Sequence, residues 1–217
     1  GYYEYDVKRN RKKLLARATR EKRQFISFDG NGNGTHASGY YQGKSVWYWR
    51  PEGTKDWEEM FERDKDNFES FTVYGRDPEH ENHYIVAAHN GHDKRGIWSF
   101  DAKSRSFEEL IYRRTDVDAG GVLYHSNGRA YPDSPTGVSW CKDRCYREFF
   151  DPAEEALYGQ LQELIPNAGY ISIIGRSMDG NTLVVRNRAP RDPGTYYLIR
   201  KGRISKISGR KPYLEYD

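Results

Sequence analysis

The sequence predicts a mainly β protein, more closely a partial β-propeller of about four to five four-stranded antiparallel blades with one inserted α-helix. Three observations predict this class. Aromatic residues make up 15% of the chain, with 18 Tyr and 5 Trp, whereas disordered chains contain few of them. Short runs alternate apolar and polar residues with the period of two that half-buried strands have. A strand–turn–strand pattern also recurs at the length of a propeller blade.

The recurring pattern consists of an apolar strand, a polar turn and a second strand. Its four copies begin at Tyr3, Val46, Ile97 and Tyr196. The first three are 43 and 51 residues apart, and the last follows after 99, about two further steps. Further strand candidates lie between the copies, at 24–28, 68–73, 84–88, 122–124, 170–175 and 182–187. A β-sandwich also has many short strands, but the repeated closing hairpin favours a propeller.

The spacing predicts one partial propeller domain over residues 1–217. The predicted blades are 1–15 (the end of a blade), 16–62, 63–112, 113–150 and 169–208. Turn-forming pairs such as Asp29-Gly30, Asn90-Gly91, Asn127-Gly128 and Asp179-Gly180 separate the strands.

The inserted helix is predicted near 152–165. Asp151 is a suitable N-cap, Pro152 suits the first helical position, and Glu154 and Glu155 are favourable in the first turn. One face carries the apolar residues Leu157, Leu161, Leu164 and Ile165. We therefore expect this face to pack on a blade or on a neighbouring domain.

Charge and hydropathy exclude several kinds of partner. The net charge is +3, from 35 basic and 32 acidic residues, which is far below the charge of a dedicated nucleic-acid binder. The mean hydropathy is −1.00, and the sequence contains no signal-like or membrane-spanning apolar run. We predict no nucleic-acid and no membrane partner, and the compartment, cytoplasm or periplasm, stays open. Because the pattern begins without Met, the chain is expected to be a piece of a longer protein.

The two cysteines, Cys141 and Cys145, flank the sequence Lys-Asp-Arg. If 138–141 and 145–149 form a hairpin, the thiols lie across a short loop. A disulfide is then geometrically possible, and a pair of free structural thiols is an equally good interpretation. Two cysteines offer too few ligands for a metal site.

Two other segments contain weak candidates for metal binding. The ligand-type residues Asp29, Asn31 and Asn33 match the first half of an EF-hand loop, but its twelfth position is Tyr40 instead of Glu. His89 and His92 could offer two imidazoles from one turn, although exposed turn histidines are common. We predict no metal and no cofactor.

Four segments in the C-terminal half together resemble a known family. In order they are Asp116-Val-Asp-Ala-Gly-Gly-Val-Leu, Phe149-Phe-Asp-Pro-Ala-Glu-Glu-Ala-Leu, Arg176-Ser-Met-Asp-Gly-Asn-Thr-Leu and Asp192-Pro-Gly-Thr-Tyr-Tyr-Leu. This order resembles the propeller of acylaminoacyl-peptidase-like members of the prolyl oligopeptidase (S9) family. The segment from Thr72 to Asp101 is similar to an earlier blade, so the resemblance covers about residues 65–217.

The resemblance implies a longer serine peptidase in which this propeller precedes an α/β-hydrolase domain and gates the access of peptide substrates. Lys211-Pro212-Tyr213-Leu214 looks like the stretch before that domain. The nucleophile motif Gly-x-Ser-x-Gly is absent from this chain, and the nearest string, Gly175-Arg-Ser-Met-Asp179, ends in Asp. We therefore predict no catalytic residue here. The expected partners are the hydrolase domain and the peptide substrates.

Three arginines are candidates for contact with a peptide carboxylate or with the hydrolase domain: Arg186, Arg188 and Arg191. Solvated charges at a strand end are the alternative interpretation. The function could instead be that of a free-standing TolB-like propeller that binds proteins. A propeller glycosidase or lyase would need clustered carboxylates or histidines, which the sequence does not reveal. Because four to five blades leave strand edges open, we also expect self-association.

Overall fold

The computed structural model describes residues 1–19, 23–125, 134–190 and 192–209. The chain divides into two compact units, Gly1–Val122 and Leu123–Asp217. Its described residues form five antiparallel sheets of two to four strands and one helix. The predicted mainly β class and the predicted helix are therefore confirmed. The turn at Asn127-Gly128 and the stretch Lys211–Leu214 lie outside the described residues.

Unit 1 contains three sheets. The first is the hairpin of β1 (Tyr2–Asp6) and β2 (Arg11–Ala16). The second consists of β3 (Phe25–Phe28), β4 (Gly34–Tyr41), β5 (Lys44–Trp49) and β6 (Glu58–Asp64). The third consists of β7 (Phe71–Arg76), β8 (His83–Ala88), β9 (Gly96–Asp101) and β10 (Ser106–Tyr112). In both four-stranded sheets, strands that are consecutive in the chain are neighbours in the sheet.

The remaining two sheets of the described residues also have their strands in sequential order. At the boundary of the units, β11 (Gly121–Leu123) begins a three-stranded sheet that continues with β12 (Gly137–Cys141) and β13 (Cys145–Phe149). The helix α1 (Pro152–Leu164) comes next. The last sheet is another sequential meander, of β14 (Tyr170–Arg176), β15 (Thr182–Ala189), β16 (Asp192–Arg200) and β17 (Arg203–Gly209).

The four predicted copies of the hairpin coincide with β1–β2, β5–β6, β9–β10 and β16–β17. Two of them share the details of the turn. Asp6 Oδ1 accepts a hydrogen bond from Lys8 N at 3.0 Å, and Asp101 Oδ1 accepts one from Lys103 N at 2.8 Å. Four residues after each aspartate the backbone is left-handed, at Asn10 and Arg105. The repeat thus extends from the sequence pattern to the hydrogen bonds that close the turn.

The sequence analysis missed one strand and displaced another. The strand β4 was not predicted, because the sequence Gly-Thr-His-Ala-Ser-Gly-Tyr-Tyr lacks an apolar alternation; pairing with β3 and β5 on both sides stabilises it. The strand predicted at 68–73 begins instead at Phe71. Phe68 precedes the strand, and its side chain is 96% exposed instead of buried in the core.

The predicted blade ranges each contain one sheet, with small differences at the ends. β2 extends to Ala16, β6 to Asp64 and β17 to Gly209, one or two residues beyond the ranges. That these sheets are the blades of one propeller domain stays a prediction.

Aromatic rings hold the second and third sheets of unit 1 together. Phe71 is 4% exposed and stacks on Phe61 with ring centroids 4.0 Å apart. It also contacts Trp47 at 5.3 Å and Phe100 at 5.2 Å. Because Phe61 and Trp47 come from one sheet and Phe71 and Phe100 from the other, this ring cluster joins the two sheets.

The core of unit 2 forms between α1 and the last sheet. Leu161 and Ile165 of the helical segment pack with Ile171, Leu183 and Val185 of the sheet. The remaining residues of the predicted apolar face, Leu157 and Leu164, are partly buried against the same cluster. The predicted amphipathic packing of the helix is confirmed.

Cys141 and Cys145 form a disulfide. They are the last paired residues of the β12–β13 hairpin, so the predicted hairpin is confirmed and the alternative of free thiols is excluded. Both cysteines are exposed. The bond therefore closes the tip of the hairpin rather than contributing to the core.

Replacing Phe71 with Ala should lower the free energy of unfolding of unit 1 by about 3–5 kcal/mol, because it removes the ring at the centre of the aromatic cluster. Denaturant unfolding followed by tryptophan fluorescence measures the loss. Phe68→Ala is the matched control, because the same ring is removed from an exposed position. We expect this control to change stability by less than about 0.5 kcal/mol; equal losses in the two variants would contradict the assignment of the core.

Candidate functional site

Four charged or titratable side chains meet in unit 2 where α1 begins. Arg176 Nη2 donates to Glu154 Oε1 at 2.6 Å. His125 lies beside both carboxylates of the group, with Nδ1 3.2 Å from Glu154 Oε1 and Nε2 3.6 Å from Asp151 Oδ2. Arg176 Nη1 lies 3.3 Å from His125 Nδ1. We call these four residues the charge cluster.

Each member of the charge cluster is positioned by a different local feature. Asp151 is the N-cap of α1 and accepts a hydrogen bond from Ala153 N at 2.8 Å. Glu154 lies one turn into the helix, Arg176 ends β14, and His125 follows β11. The side chains of Glu154 and Arg176 are only 6% and 7% exposed. Buried charges persist only when they are paired, so the cluster holds the start of α1 against β14.

Sequence reasoning missed this cluster. It treated Glu154 as a favourable charge for the helix dipole, and it did not single out His125 or Arg176. A signal was nevertheless present, because Asp151 and Glu154 lie in one of the four resemblance segments and Arg176 begins another. The contact between these segments could not be inferred from either alone.

Chemically, the cluster combines an imidazole, two carboxylates and a guanidinium. Among its described contacts, the shortest is the buried Arg176–Glu154 pair at 2.6 Å. Such a pair orients the groups around it. We therefore regard the cluster as a positioning device rather than as a reaction centre.

Next to the charge cluster, Arg147 of β13 lies between two tyrosine rings. Its guanidinium carbon is 3.8 Å from the Tyr170 ring centroid and 4.8 Å from that of Tyr158. Arg147 Nη2 also donates to the carbonyl oxygen of Ile171. These contacts join β13, α1 and the edge strand β14 through one side chain.

The structure places two of the three predicted contact arginines on β15. Arg186 and Arg188 alternate with the buried Leu183, Val185 and Asn187, so they lie on the face of the sheet that points away from the core. The Arg188 guanidinium lies 5.3 Å from the Tyr170 ring. Arg191 lies outside the described residues. A role of these arginines in contacting substrate stays a prediction.

The weak metal candidates make other contacts, within their own loop for Asp29 and with other segments for His89 and His92. Asp29 Oδ1 accepts hydrogen bonds from the backbone N of Asn31 at 2.9 Å and of Asn33 at 2.8 Å. His89 Nδ1 lies 3.1 Å from Ser70 Oγ, whereas the His92 ring is nearly parallel to Trp98, 5.8 Å away. Across the described residues, no group of three or more His, Cys, Asp or Glu is arranged to hold a metal ion.

Ser99, Asp77 and His80 are of the residue types of a serine hydrolase triad, but their hydrogen bonds are different. Ser99 Oγ donates to Asp77 Oδ2 at 2.9 Å, and His80 Nδ1 lies 3.0 Å from the same oxygen. A nucleophilic serine must donate to the imidazole. Although burial acts in the opposite direction, hydrogen bonds from Glu79 N, His80 and Ser99 lower the pKa of Asp77. The carboxylate thus closes the turn between β7 and β8.

Ser177, in the string nearest to a nucleophile motif, also closes a turn. Its Oγ donates to Asp179 Oδ1 at 2.6 Å and accepts from Thr182 N at 2.9 Å. Hydrogen bonds from Ser177 and Asn181 lower the pKa of Asp179 to about 2. The turn between β14 and β15 is therefore held in the same way as that between β7 and β8.

His36 is a titratable group of unit 1 whose surroundings favour its neutral form. It lies on β4, with Nδ1 3.1 Å from Thr35 Oγ1 and its ring edge-on to Tyr84 at 6.1 Å. Burial, together with the charge of Arg76, lowers the pKa of His36 to about 4. The imidazole is therefore neutral at pH 7.

No protein-family model matches the chain, and no curated protein is similar to it. Within the described part of the chain, no helix has the length and hydropathy needed to cross a bilayer.

Replacing Glu154 with Gln should lower the free energy of unfolding of unit 2 by about 3 kcal/mol, because the buried Arg176 then loses the carboxylate charge to which it donates. Thermal and denaturant unfolding measure this loss. Glu155→Gln is the control, since Glu155 is the exposed neighbour in the same helical turn. The double variant Glu154→Gln, Arg176→Met should recover part of the loss. An equal effect of the two glutamate substitutions would contradict the role of the cluster.

Stability should also depend on pH through His36. Its folded pKa of about 4 lies below the ordinary value of 6.5, so the unfolded chain binds the extra proton between these values. Stability should therefore fall by at most about 3 kcal/mol as the pH falls from 6.5 to 4. His36→Gln should flatten this part of the profile, measured by denaturant unfolding at each pH.

His80 provides an internal comparison of opposite sign. The hydrogen bond to Asp77 raises the pKa of His80, so its contribution is present below the ordinary value and is lost as the pH rises. His80→Gln should therefore remove stability at acid pH. If His36→Gln and His80→Gln change the pH dependence of the free energy of unfolding in the same direction, the lowered pKa of His36 is contradicted.

Proposed function

We propose that this chain is the non-catalytic β-propeller portion of a prolyl oligopeptidase (S9)-type serine peptidase of the acylaminoacyl-peptidase-like kind. In this role its sheets are the blades of a propeller that docks on an α/β-hydrolase domain and gates peptide access to it. The observation that carries the proposal is the repeat of sequential four-stranded antiparallel sheets, in each of which the last two strands form an antiparallel hairpin. This is the architecture of propeller blades.

The charge cluster supports the resemblance on which this proposal depends. Asp151 and Glu154 come from one resemblance segment and Arg176 from another, and they meet in one buried contact through the 2.6 Å bond between Arg176 and Glu154. If the fold requires this contact between Arg176 and Glu154, the two segments have a physical reason to occur in the same chain. The cluster holds the inserted helix in place, as a docking surface requires.

The hydrogen bonds of the serines described above support a non-catalytic role. Ser99 and Ser177 each donate to an aspartate that closes a turn. Neither of these two serines is therefore activated by an imidazole, and in this proposal the nucleophile comes from the hydrolase domain. In this proposal, the strand edges at β1–β2 and β17 are open edges of an incomplete propeller, and self-association through them stays a prediction.

A fluorophosphonate probe, which labels activated serines, tests the proposed function. The full-length gene product should be labelled at a serine within a Gly-x-Ser-x-Gly motif, about 200 residues or fewer beyond Asp217. The chain of 217 residues should show no labelling and no turnover of an acyl-peptide substrate.

Two outcomes contradict the proposal. Labelling of Ser99 or Ser177 in the 217-residue chain would make this chain itself catalytic. A full-length product with no labelled serine would favour the free-standing TolB-like propeller that binds proteins. A Ser177→Ala variant is the control, because it removes the serine nearest to a nucleophile motif and should leave labelling of the full-length protein unchanged.

A further inference from the structure

One face of the last sheet, β14–β17, is covered by α1, and the opposite face carries Arg186, Arg188, Arg200 and Arg203. The buried side chains of the sheet, Ile171, Leu183, Val185, Asn187 and Ile199, all belong to the face on which α1 packs. Strand alternation places the intervening residues on the opposite face. We call this opposite face the basic face and define it by Val184, Arg186, Arg188, Leu198, Arg200 and Arg203.

The register of the strands arranges the basic face in layers. Arg200 pairs with Arg203 across β16–β17 and with Thr182 across β15–β16. The next layer is apolar, because Val184 pairs with Leu198. Arg186 follows in the layer beyond. Four residues of strand separate Thr182 from Arg186, which places the two cationic groups about 13 Å apart with an apolar layer between them.

Among the described residues, no carboxylate forms an ion pair with the four arginines of the basic face, Arg186, Arg188, Arg200 and Arg203. Arg186 Nε is buried without a hydrogen-bond partner in the described part of the chain. The acidic residues of the sheet are used elsewhere: Asp179 closes a turn, and Asp192 accepts from Asn187 on the covered face.

The cationic end of the basic face also has a concave shape. An open depression of about 540 Å³ is lined by Leu198, Arg200, Lys201, Arg203 and Ser205. It combines one apolar wall with three cations. A carboxylate that enters it can be bound by a planar guanidinium in a bidentate manner.

We infer that the basic face is a docking site for an extended acidic peptide segment of a partner protein. Two carboxylates of the peptide, about four residues apart, bind at Arg186 and at the Arg200–Arg203 pair, because that separation matches about 13 Å of strand. An apolar side chain between them packs on Val184 and Leu198. This inference goes beyond the proposed gating role, since it requires only the β14–β17 sheet and no hydrolase partner.

The apolar layer favours a peptide over a nucleic acid. Single-stranded RNA carries a phosphate on every nucleotide and binds grooves that are cationic along their length. Here Val184 and Leu198 interrupt the cations, and the chain as a whole has a net charge of only +3. A peptide that alternates acidic and apolar side chains matches both features.

A fluorescein-labelled, acetylated peptide Glu-Ser-Leu-Ser-Glu tests the inference by fluorescence anisotropy with the 217-residue chain. We expect saturable binding that weakens about fivefold or more between about 50 and 300 mM salt. Substituting Arg186→Gln and Arg200→Gln together should weaken binding about tenfold or more. Arg11→Gln with Arg17→Gln removes the same charge from exposed positions of unit 1 and should change binding less than twofold.

Peptide variants and a nucleic acid separate the alternatives. The Gln-Ser-Leu-Ser-Gln peptide should bind more weakly because it lacks the two carboxylates. The Glu-Ser-Ser-Ser-Glu peptide should bind more weakly because it lacks the apolar side chain. Circular dichroism and thermal unfolding check that every variant is folded. If the Arg186 variant is unfolded, Arg200→Gln with Arg203→Gln replaces it. Binding of oligouridine in place of the peptide, equal losses in the unit 1 control, or no peptide binding would each overturn the inference.

Discussion

The two-sided character of a β-strand is the constraint on which the rest of this structure depends. Side chains alternate between the faces of a sheet, so the two faces of a four-stranded meander can lie in different surroundings. In β14–β17 the covered face meets α1. The same alternation places Arg186 and Arg188 opposite that core. The hydrophobic core and the basic face are thus two consequences of one periodicity.

The two units meet this constraint by different chemistry. In unit 1 the contact between sheets is made of rings, with Phe71 between Phe61 and Phe100. In unit 2 an apolar core is joined to the buried pair of Glu154 and Arg176. Ring packing tolerates small shifts, whereas a buried ion pair requires one geometry because a misplaced charge is left desolvated. The buried ion pair therefore restricts the position of the first turn of α1 more than packing of its apolar residues alone would.

The features that were predicted correctly from the sequence depend on contacts between residues close in the chain. The hairpins β1–β2 and β9–β10 were predicted correctly because their turns are closed by an aspartate two residues from its donor. The helix was predicted because its cap and apolar stripe are local. The strand β4 was missed because its residues have little intrinsic signal and depend on pairing with β3 and β5. The strand β7 was predicted to begin too early because Phe68 is apolar, although its side chain is exposed.

The mainly β class, the repeated hairpins and the amphipathic helix can be predicted from the sequence, because each depends on residues a few positions apart. Contacts between distant residues become visible only in the folded chain. The tertiary structure paired Cys141 with Cys145 where the sequence left free thiols open. It joined Glu154 to Arg176, 22 residues away, and it buried His36 beside Arg76 so that its pKa falls. These outcomes require proximity and burial, which a linear pattern does not contain.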